Sequence, residues 1–241
     1  MKFTASEINE ILDGIYSGKY TSRKLPKEYF EKLQVKFSEL VTKGFGSDDE
    51  EILNSLIKST DEFSAAKTYQ MVREVEVAAM AFGAKEAFTE AALNIFDRFT
   101  NVWGSAEENT ALQQAFQAQK WQEIIMDSDL FPNLRYSTIG DACQICAPLN
   151  GIVAPINDPI WKRIYPTNHY NCFCLCVQEG KNVRPWNKGT VKHIVNGIEP
   201  KMSPVFLDNV GISQEIFNKK HPYFDVPAKD RKFAKKGFGL L

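Results

Sequence analysis

The sequence predicts an α+β protein: an N-terminal, mainly α-helical bundle, then a small loop-rich zinc-binding module with short strands, then an irregular C-terminal tail. Three observations predict this order. The first half carries helix-capping signatures and apolar residues at helical spacing. From about Asp127 onward, glycine, proline, asparagine and short apolar runs alternate, and all five cysteines fall within one short stretch. We therefore expect a helical domain over 1–126, a Cys/His metal-binding module over 127–180 and a C-terminal extension with a basic tail over 181–241.

Helix signals recur along the first half. Pro26 can open a helix that stops near Gly44. Three further helix starts are predicted where a serine is followed three residues later by a glutamate, because the two side chains can cap each other's backbone N–H groups. These pairs are Ser47 with Glu50, Ser59 with Glu62, and Ser105 with Glu108. The middle pair precedes an alanine-rich helical stretch from about 62 to 99, whose apolar stripe predicts a bundle core.

The second half predicts short elements. Residues 134–138 and 152–154 are expected to be strands, and so is 193–198, which contains the hairpin-type pair Asn196-Gly197. A short helix is expected over 213–219. The tail from 229 to 236 has five basic residues and one acid, a local charge of +5 − 1 = +4. Such a run is usually a solvated surface, and its alternative role is contact with DNA or an acidic partner.

Bulk composition narrows the class of protein. The chain has 241 residues, of which 44% are hydrophobic and 24% charged, and its net charge is −1. These values fit a soluble globular protein without the overall basicity of a nucleic-acid binder. The sequence shows no secretory signal and no run of about 20 apolar residues, so we expect no membrane association. Reduced cysteines, odd in number, favour metal ligation over disulfides.

The cysteine stretch has the spacing of a metal site. It reads C-x2-C, then 22 residues, then H-x2-C-x-C-x-C. A structural zinc ion takes four Cys or His ligands, commonly from two short knuckles. The five candidate ligands are Cys143, Cys146, His169, Cys172 and Cys174. We favour the set without Cys174, which is the main rival for the position of His169 or Cys172. Buried unligated thiols and a redox CxxC are the alternatives, and Pro148 argues against the second because it leaves no helix after the motif. Asp141 or Asn171 can hydrogen-bond the ligands. Trp161 is expected to pack against the module, and Asp158, which precedes a proline, is expected to form a turn.

The stretch from 134 to 177 also resembles a known family, the phage Mu protein F-like minor head proteins, or phage head morphogenesis proteins. The resemblance rests on five ordered motifs. They are L-R-Y-x-T-x-G-D (Leu134, Arg135, Tyr136, Thr138, Gly140, Asp141), C-x-x-C (Cys143, Cys146), L-x-G (Leu149, Gly151), D-P-x-W (Asp158, Pro159, Trp161) and a closing segment (Pro166, His169, Asn171, Cys172, Cys174). In that closing segment Thr167 replaces a proline of the family and Phe173 replaces an arginine.

The resemblance implies a structural protein of the virion and no enzyme. It implies a minor capsid or head morphogenesis protein of a tailed phage or prophage, acting in prohead assembly near the portal. The implied partners are the portal and the major capsid protein, with packaged DNA as a further candidate through the basic tail. No small-molecule substrate is expected. The chain would reside in the phage head, and in the host cytoplasm during assembly.

Two other functions stay open on the residues alone. Cys172 and His169 can act as nucleophile and base if no metal holds them, which would make the protein an enzyme. A zinc module that binds nucleic acid is the third reading. It is disfavoured because Lys162 and Arg163 are the only basic side chains between Cys143 and Cys176.

Overall fold

A computed structural model of the chain describes residues 2–82, 84–140 and 142–238, with the last four of these (235–238) described by their backbone only. Helices dominate. They are α1 (Ala5–Tyr16), α2 (Lys27–Phe45), α3 (Glu50–Ala81), α4 (Lys85–Asp97), α5 (Trp103–Met126), α6 (Trp161–Ile164), α7 (Lys188–Ile198), α8 (Val210–Ser213) and α9 (Ala228–Phe238). The strands are β1 (Asn133–Ser137), β2 (Val153–Pro155) and β3 (Leu175–Glu179). The predicted α+β class is confirmed.

By its internal contacts the chain divides into two compact units. The first unit comprises Met1–Glu39, Ile57–Glu108 and His221–Leu241, and the second comprises Leu40–Leu56 and Asn109–Lys220. These boundaries differ from the sequence division into 1–126, 127–180 and 181–241, which stays a prediction about domains. None of the described helices combines the length and apolar character needed to cross a membrane.

The first unit is a helical core around aromatic rings. Tyr29, Phe37 and Phe63 are almost fully buried, and Phe37 meets Phe63 edge-on with ring centroids 5.5 Å apart. The same core contains a buried ion pair between Lys67 and Glu107. Glu107 also accepts a hydrogen bond from the Tyr223 hydroxyl at 2.8 Å. Burial of a charged pair is tolerated here because each charge has a partner.

The second unit is built on an antiparallel three-stranded sheet in the order β2-β1-β3. Leu134 of β1 pairs with Ala154 of β2 and with Gln178 of β3. The strand predicted at 134–138 therefore lies within one residue of β1, and that predicted at 152–154 within one residue of β2. Alternation along β1 turns Leu134 and Tyr136 into a core that also holds Trp161.

Several helix boundaries differ from the sequence prediction. Ser59 and Ser105 lie inside α3 and α5 and do not cap them. Ser59 is buried within a continuous helix of 32 residues, where neighbouring turns satisfy the backbone without a new cap. Helix α3 starts at Glu50, two residues later than a cap at Ser47 predicts, because its cap is Asp49, whose carboxylate accepts from the Ile52 N–H at 3.1 Å. Gly44 lies within α2, one residue before its end.

The C-terminal part is more helical than predicted. The expected strand at 193–198 is wrong, because these residues form most of α7, capped by the Asn187 side chain, which accepts from the Gly189 N–H at 2.8 Å. The expected helix at 213–219 is also wrong, because α8 ends at Ser213 and Gln214 adopts a left-handed conformation that stops it. The basic tail lies on α9, whose described lysines are exposed.

Candidate metal centre

The first group of candidate ligands sits on a tight turn after β1. The Cys146 N–H points at the Cys143 sulfur at 3.4 Å, and the Ala147 N–H donates to the Cys143 carbonyl at 2.9 Å. The Cys143 side chain is exposed, whereas Cys146 is buried. A thiolate that accepts backbone N–H groups from its own turn is stabilised in the charged form that a metal binds.

The second group lies just before β3. The Cys172 N–H donates to the His169 carbonyl at 3.2 Å and closes a turn in which Asn171 takes a positive φ of 57°. His169 Nδ1 lies 2.7 Å from the Tyr170 carbonyl oxygen. A carbonyl can only accept, so Nδ1 carries the proton and Nε2 presents its lone pair, as a metal-ligating histidine requires.

We call these two turns the knuckles: Cys143 to Cys146 is the first, and His169 to Cys172 is the second. The two knuckles meet at Cys146. Cys143, Cys146 and His169 form one set whose ligand atoms all lie within 4.8 Å of each other, and Cys146, Cys172 and Cys174 form another. The predicted candidates Cys143, Cys146, His169, Cys172 and Cys174 are thus all brought together. Cys176 lies on β3 outside both sets. The cluster can hold a metal ion.

Two distances can be compared with an ideal zinc tetrahedron. Zn–S bonds of about 2.3 Å at the tetrahedral angle separate two sulfurs by about 3.8 Å, and sulfur from imidazole nitrogen by about 3.6 Å. The Cys146 and Cys172 sulfurs are 3.8 Å apart. The Cys143 sulfur and His169 Nε2 are 3.1 Å apart, so this pair must open by about half an ångström around an ion.

The electrostatics of the cluster favour thiolates at two positions. Hydrogen bonds from the Cys146 and Cys174 thiols lower the pKa of Cys172 well below its usual value, with help from the Asn168 and Cys174 N–H groups and against burial. Burial works against ionisation of Cys143, but the N–H groups of Cys146 and Ile145 and the nearby His169 bring its pKa below the usual value. The pKa of Cys146 is raised, first by its hydrogen bond to Cys172.

Sequence reasoning missed two residues beside the cluster. The Tyr136 hydroxyl lies 3.3 Å from the Cys146 sulfur, and the side-chain amide of Asn168 lies 2.9 Å from that hydroxyl. Both residues are fully buried. The alternation of β1 was a signal that Tyr136 points inward, but the contact between strand and turn depends on how the loop folds back.

Other predicted neighbours play different parts. Asn171 was a candidate to hydrogen-bond the ligands, but its side chain accepts from Asn109 at 3.0 Å. Asp141, the other candidate, lies outside the described residues. Asp158 forms a turn as predicted, accepting from the Ile160 N–H at 3.0 Å. Trp161 packs in the core of the module as expected, with its indole N–H on the Pro155 carbonyl at 2.9 Å.

The thiol–imidazole pair also differs from the sequence-based alternative. That alternative paired Cys172 with His169, whereas the structure places the His169 Nε2 beside the exposed Cys143. Cys172 is buried and has the Cys146 sulfur as its neighbour. The spacing His169-x2-Cys172 suggested proximity, but the turn directs the imidazole away from Cys172 and toward the other knuckle.

Comparisons of the chain with family models, with curated proteins and with solved structures found no match. The resemblance to the phage Mu protein F-like minor head proteins therefore stays a prediction based on the motifs quoted above.

Proposed function

We propose that the cysteine cluster holds a structural zinc ion, and that this zinc-stapled module belongs to a minor head protein of a tailed phage or prophage. The observation that carries the zinc site is the convergence of two knuckles, 26 residues apart in sequence, on the Cys146 sulfur. Zinc is the simplest occupant because it prefers four thiolate or imidazole ligands in a closed tetrahedral shell.

The proposed shell is Cys143, Cys146, His169 and Cys172, with Cys174 as the alternative fourth ligand. A shell made only of thiolates and imidazole leaves no position for an activated water, so the ion would be structural. Its bonds would close the loop between the two knuckles and hold it against the sheet. Because the unfolded chain holds no such preformed site, the free energy of metal binding would contribute directly to the free energy of folding.

The role in the phage head rests on the resemblance. The motif residues that the structure describes, from Leu134 to Cys174, all belong to the second unit, so the resemblance concerns this unit. We propose that this unit docks onto the portal or the major capsid protein during prohead assembly, and that the protein is carried into the virion. The described basic side chains of α9 are the proposed contact for packaged DNA.

The head assignment is tested by fractionation of infected or induced cells. The protein is expected in proheads and mature particles at low copy number, and tagged protein should co-purify with portal or capsid protein. Its absence from proheads and from mature particles would contradict the assignment. Zinc content is measured separately on the purified chain, so the zinc site and the head assignment are tested independently of each other.

A thiol enzyme is the second candidate, because one observation favours it. The exposed Cys143 sulfur lies 3.1 Å from the His169 Nε2. The other ring nitrogen of His169, Nδ1, donates a hydrogen bond to the Tyr170 carbonyl. This is the geometry of a nucleophile with an oriented base. Rapid alkylation of Cys143 in protein that contains no stoichiometric zinc would favour the enzyme. Slow alkylation that accelerates only after chelation would favour the structural metal site.

A further inference from the structure

The Tyr136 hydroxyl faces the Cys146 sulfur, which both sets of ligand atoms share, and it is not itself a candidate ligand. It lies 3.3 Å from the Cys146 sulfur, within hydrogen-bond reach of a thiolate, and its ring is fully buried. Strand β1 fixes the ring, because Tyr136 pairs with Cys176 of β3 and its N–H donates to the Ile152 carbonyl at 2.9 Å. The hydroxyl therefore has little freedom to move away from the sulfur.

Asn168 decides which way the hydroxyl proton points. Its side-chain nitrogen lies 2.9 Å from the Tyr136 oxygen and 3.1 Å from the Ile164 carbonyl oxygen. Because a carbonyl oxygen can only accept, the amide must present its NH2 group to Ile164, and the same NH2 group then faces Tyr136. The Tyr136 oxygen consequently accepts from Asn168, and its own proton is left for the Cys146 sulfur.

The contact between the Tyr136 hydroxyl and the Cys146 sulfur can affect metal binding because of the place of Cys146 in the cluster. Cys146 belongs to both sets of three ligand atoms, so a metal shell built on either set includes it. A thiolate bound to zinc keeps concentrated negative charge, and a buried donor that faces it stabilises that charge without solvent. Partners of this kind orient a ligand and raise the affinity for the metal.

We propose that Tyr136, oriented by Asn168, is a positioning residue that donates a hydrogen bond to the Cys146 thiolate and so tightens zinc binding. This inference rests on the proposed zinc site and adds to it a determinant outside the ligand shell. The hydroxyl does not bind the metal. It acts through the sulfur, by stabilising the negative charge of the thiolate and by fixing the direction of its lone pairs.

The test compares two buried tyrosines of the same unit. Tyr136→Phe removes the hydroxyl that faces the sulfur. Tyr165→Phe is the matched control, because Tyr165 is also fully buried and its hydroxyl donates to the Gln117 carbonyl at 3.1 Å. Zinc affinity is measured on the full chain by competition with a chromophoric chelator. Tyr136→Phe is expected to bind zinc about 10- to 100-fold more weakly than wild type, and Tyr165→Phe within about threefold of it.

A second variant keeps the hydroxyl and changes only its direction. In Asn168→Asp a carboxylate oxygen faces Tyr136 and accepts the hydrogen bond from its hydroxyl. The sulfur therefore loses its donor although the phenol remains. Its zinc affinity is expected to fall as well. Thermal unfolding of each metal-free variant controls for general damage to the fold.

Cobalt substitution provides a readout that a purely structural role would not move. A hydrogen bond lowers the energy of the sulfur lone pairs, so its loss should shift the sulfur-to-cobalt charge-transfer band to longer wavelength in Tyr136→Phe and not in Tyr165→Phe. Equal zinc affinities and equal cobalt spectra for these two variants would overturn the inference and leave the metal site intact. A wild-type chain that binds no zinc or cobalt would overturn the site itself.

Discussion

His221 in the first unit makes stability depend on pH in a way that can be calculated. Its side chain is buried, its Nδ1 accepts from the Tyr223 N–H at 3.2 Å, and its ring packs edge-on against Phe63 with centroids 4.9 Å apart. Burial, aided by the positive charge of Lys67, lowers the pKa of His221 from 6.5 to about 4. The unfolded chain therefore binds a proton at a pH where the folded chain does not.

The sign and size follow from this difference. Because the unfolded state takes up the extra proton below pH 6.5, the contribution of His221 to stability is fully present above that pH and is lost as pH falls toward 4. Between pH 7.5 and 5.0 the loss amounts to about 2 kcal/mol, and it reaches a limit of about 3.4 kcal/mol below pH 4.

The assay compares wild type with His221→Asn, whose side chain can still accept from the Tyr223 N–H but does not titrate. Urea unfolding at constant ionic strength gives the free energy of unfolding at pH 7.5 and 5.0 for each protein. The smaller side chain lowers stability equally at both pH values, and this loss cancels in the comparison. Wild type should lose about 2 kcal/mol more than the variant on acidification. Equal losses in the two proteins would refute the reasoning.

Two further predictions concern packing and charge. Lys67→Met leaves the Glu107 carboxylate buried without its cation and should lower the free energy of unfolding by about 3–5 kcal/mol. Adding Glu107→Leu to this variant should recover part of that loss, because the unpaired charge is then removed. A double variant no more stable than the single one would contradict this prediction. Gly211→Ala would place a Cβ 2.2 Å from the Cβ of Trp121, so it should cost about 1–3 kcal/mol in thermal unfolding. Gly197→Ala, a control in α7 with open space around it, should stabilise by about 0.5–1 kcal/mol, and equal effects of the two alanines would count against the packing.

Local patterns predicted those elements that depend on local chemistry. From Leu134 onward the residues of β1 alternate in burial, as in a half-buried strand, and the prediction of 134–138 was close to Asn133–Ser137. The five candidate ligands were identifiable because few roles other than metal binding account for so many soft ligands at such spacing. In the structure they form two sets of three that share Cys146, so a metal ion can be held there, whereas the set of four ligands stays a prediction.

Features that depend on distant contacts were not predictable. Ser59 carries a capping signature, yet it lies within α3, because packing of the long helix outweighs a local preference. Asn196-Gly197 has the composition of a hairpin turn, but the apolar residues Val191 and Val195 bury one face of α7. The contact between Tyr136 and Cys146 joins residues of a strand and a turn whose approach no local pattern specifies.

Zinc content across single Cys→Ser variants tests the metal centre most directly. Elemental analysis of purified wild type should find one zinc ion per chain. Cys146→Ser removes the sulfur that both sets of ligand atoms share, and it should lose the zinc. Cys176→Ser is the matched control and should keep its zinc, because Cys176 lies outside both sets. Wild type without zinc, or equal zinc content in these two variants, would contradict the proposal that the two knuckles are joined through Cys146.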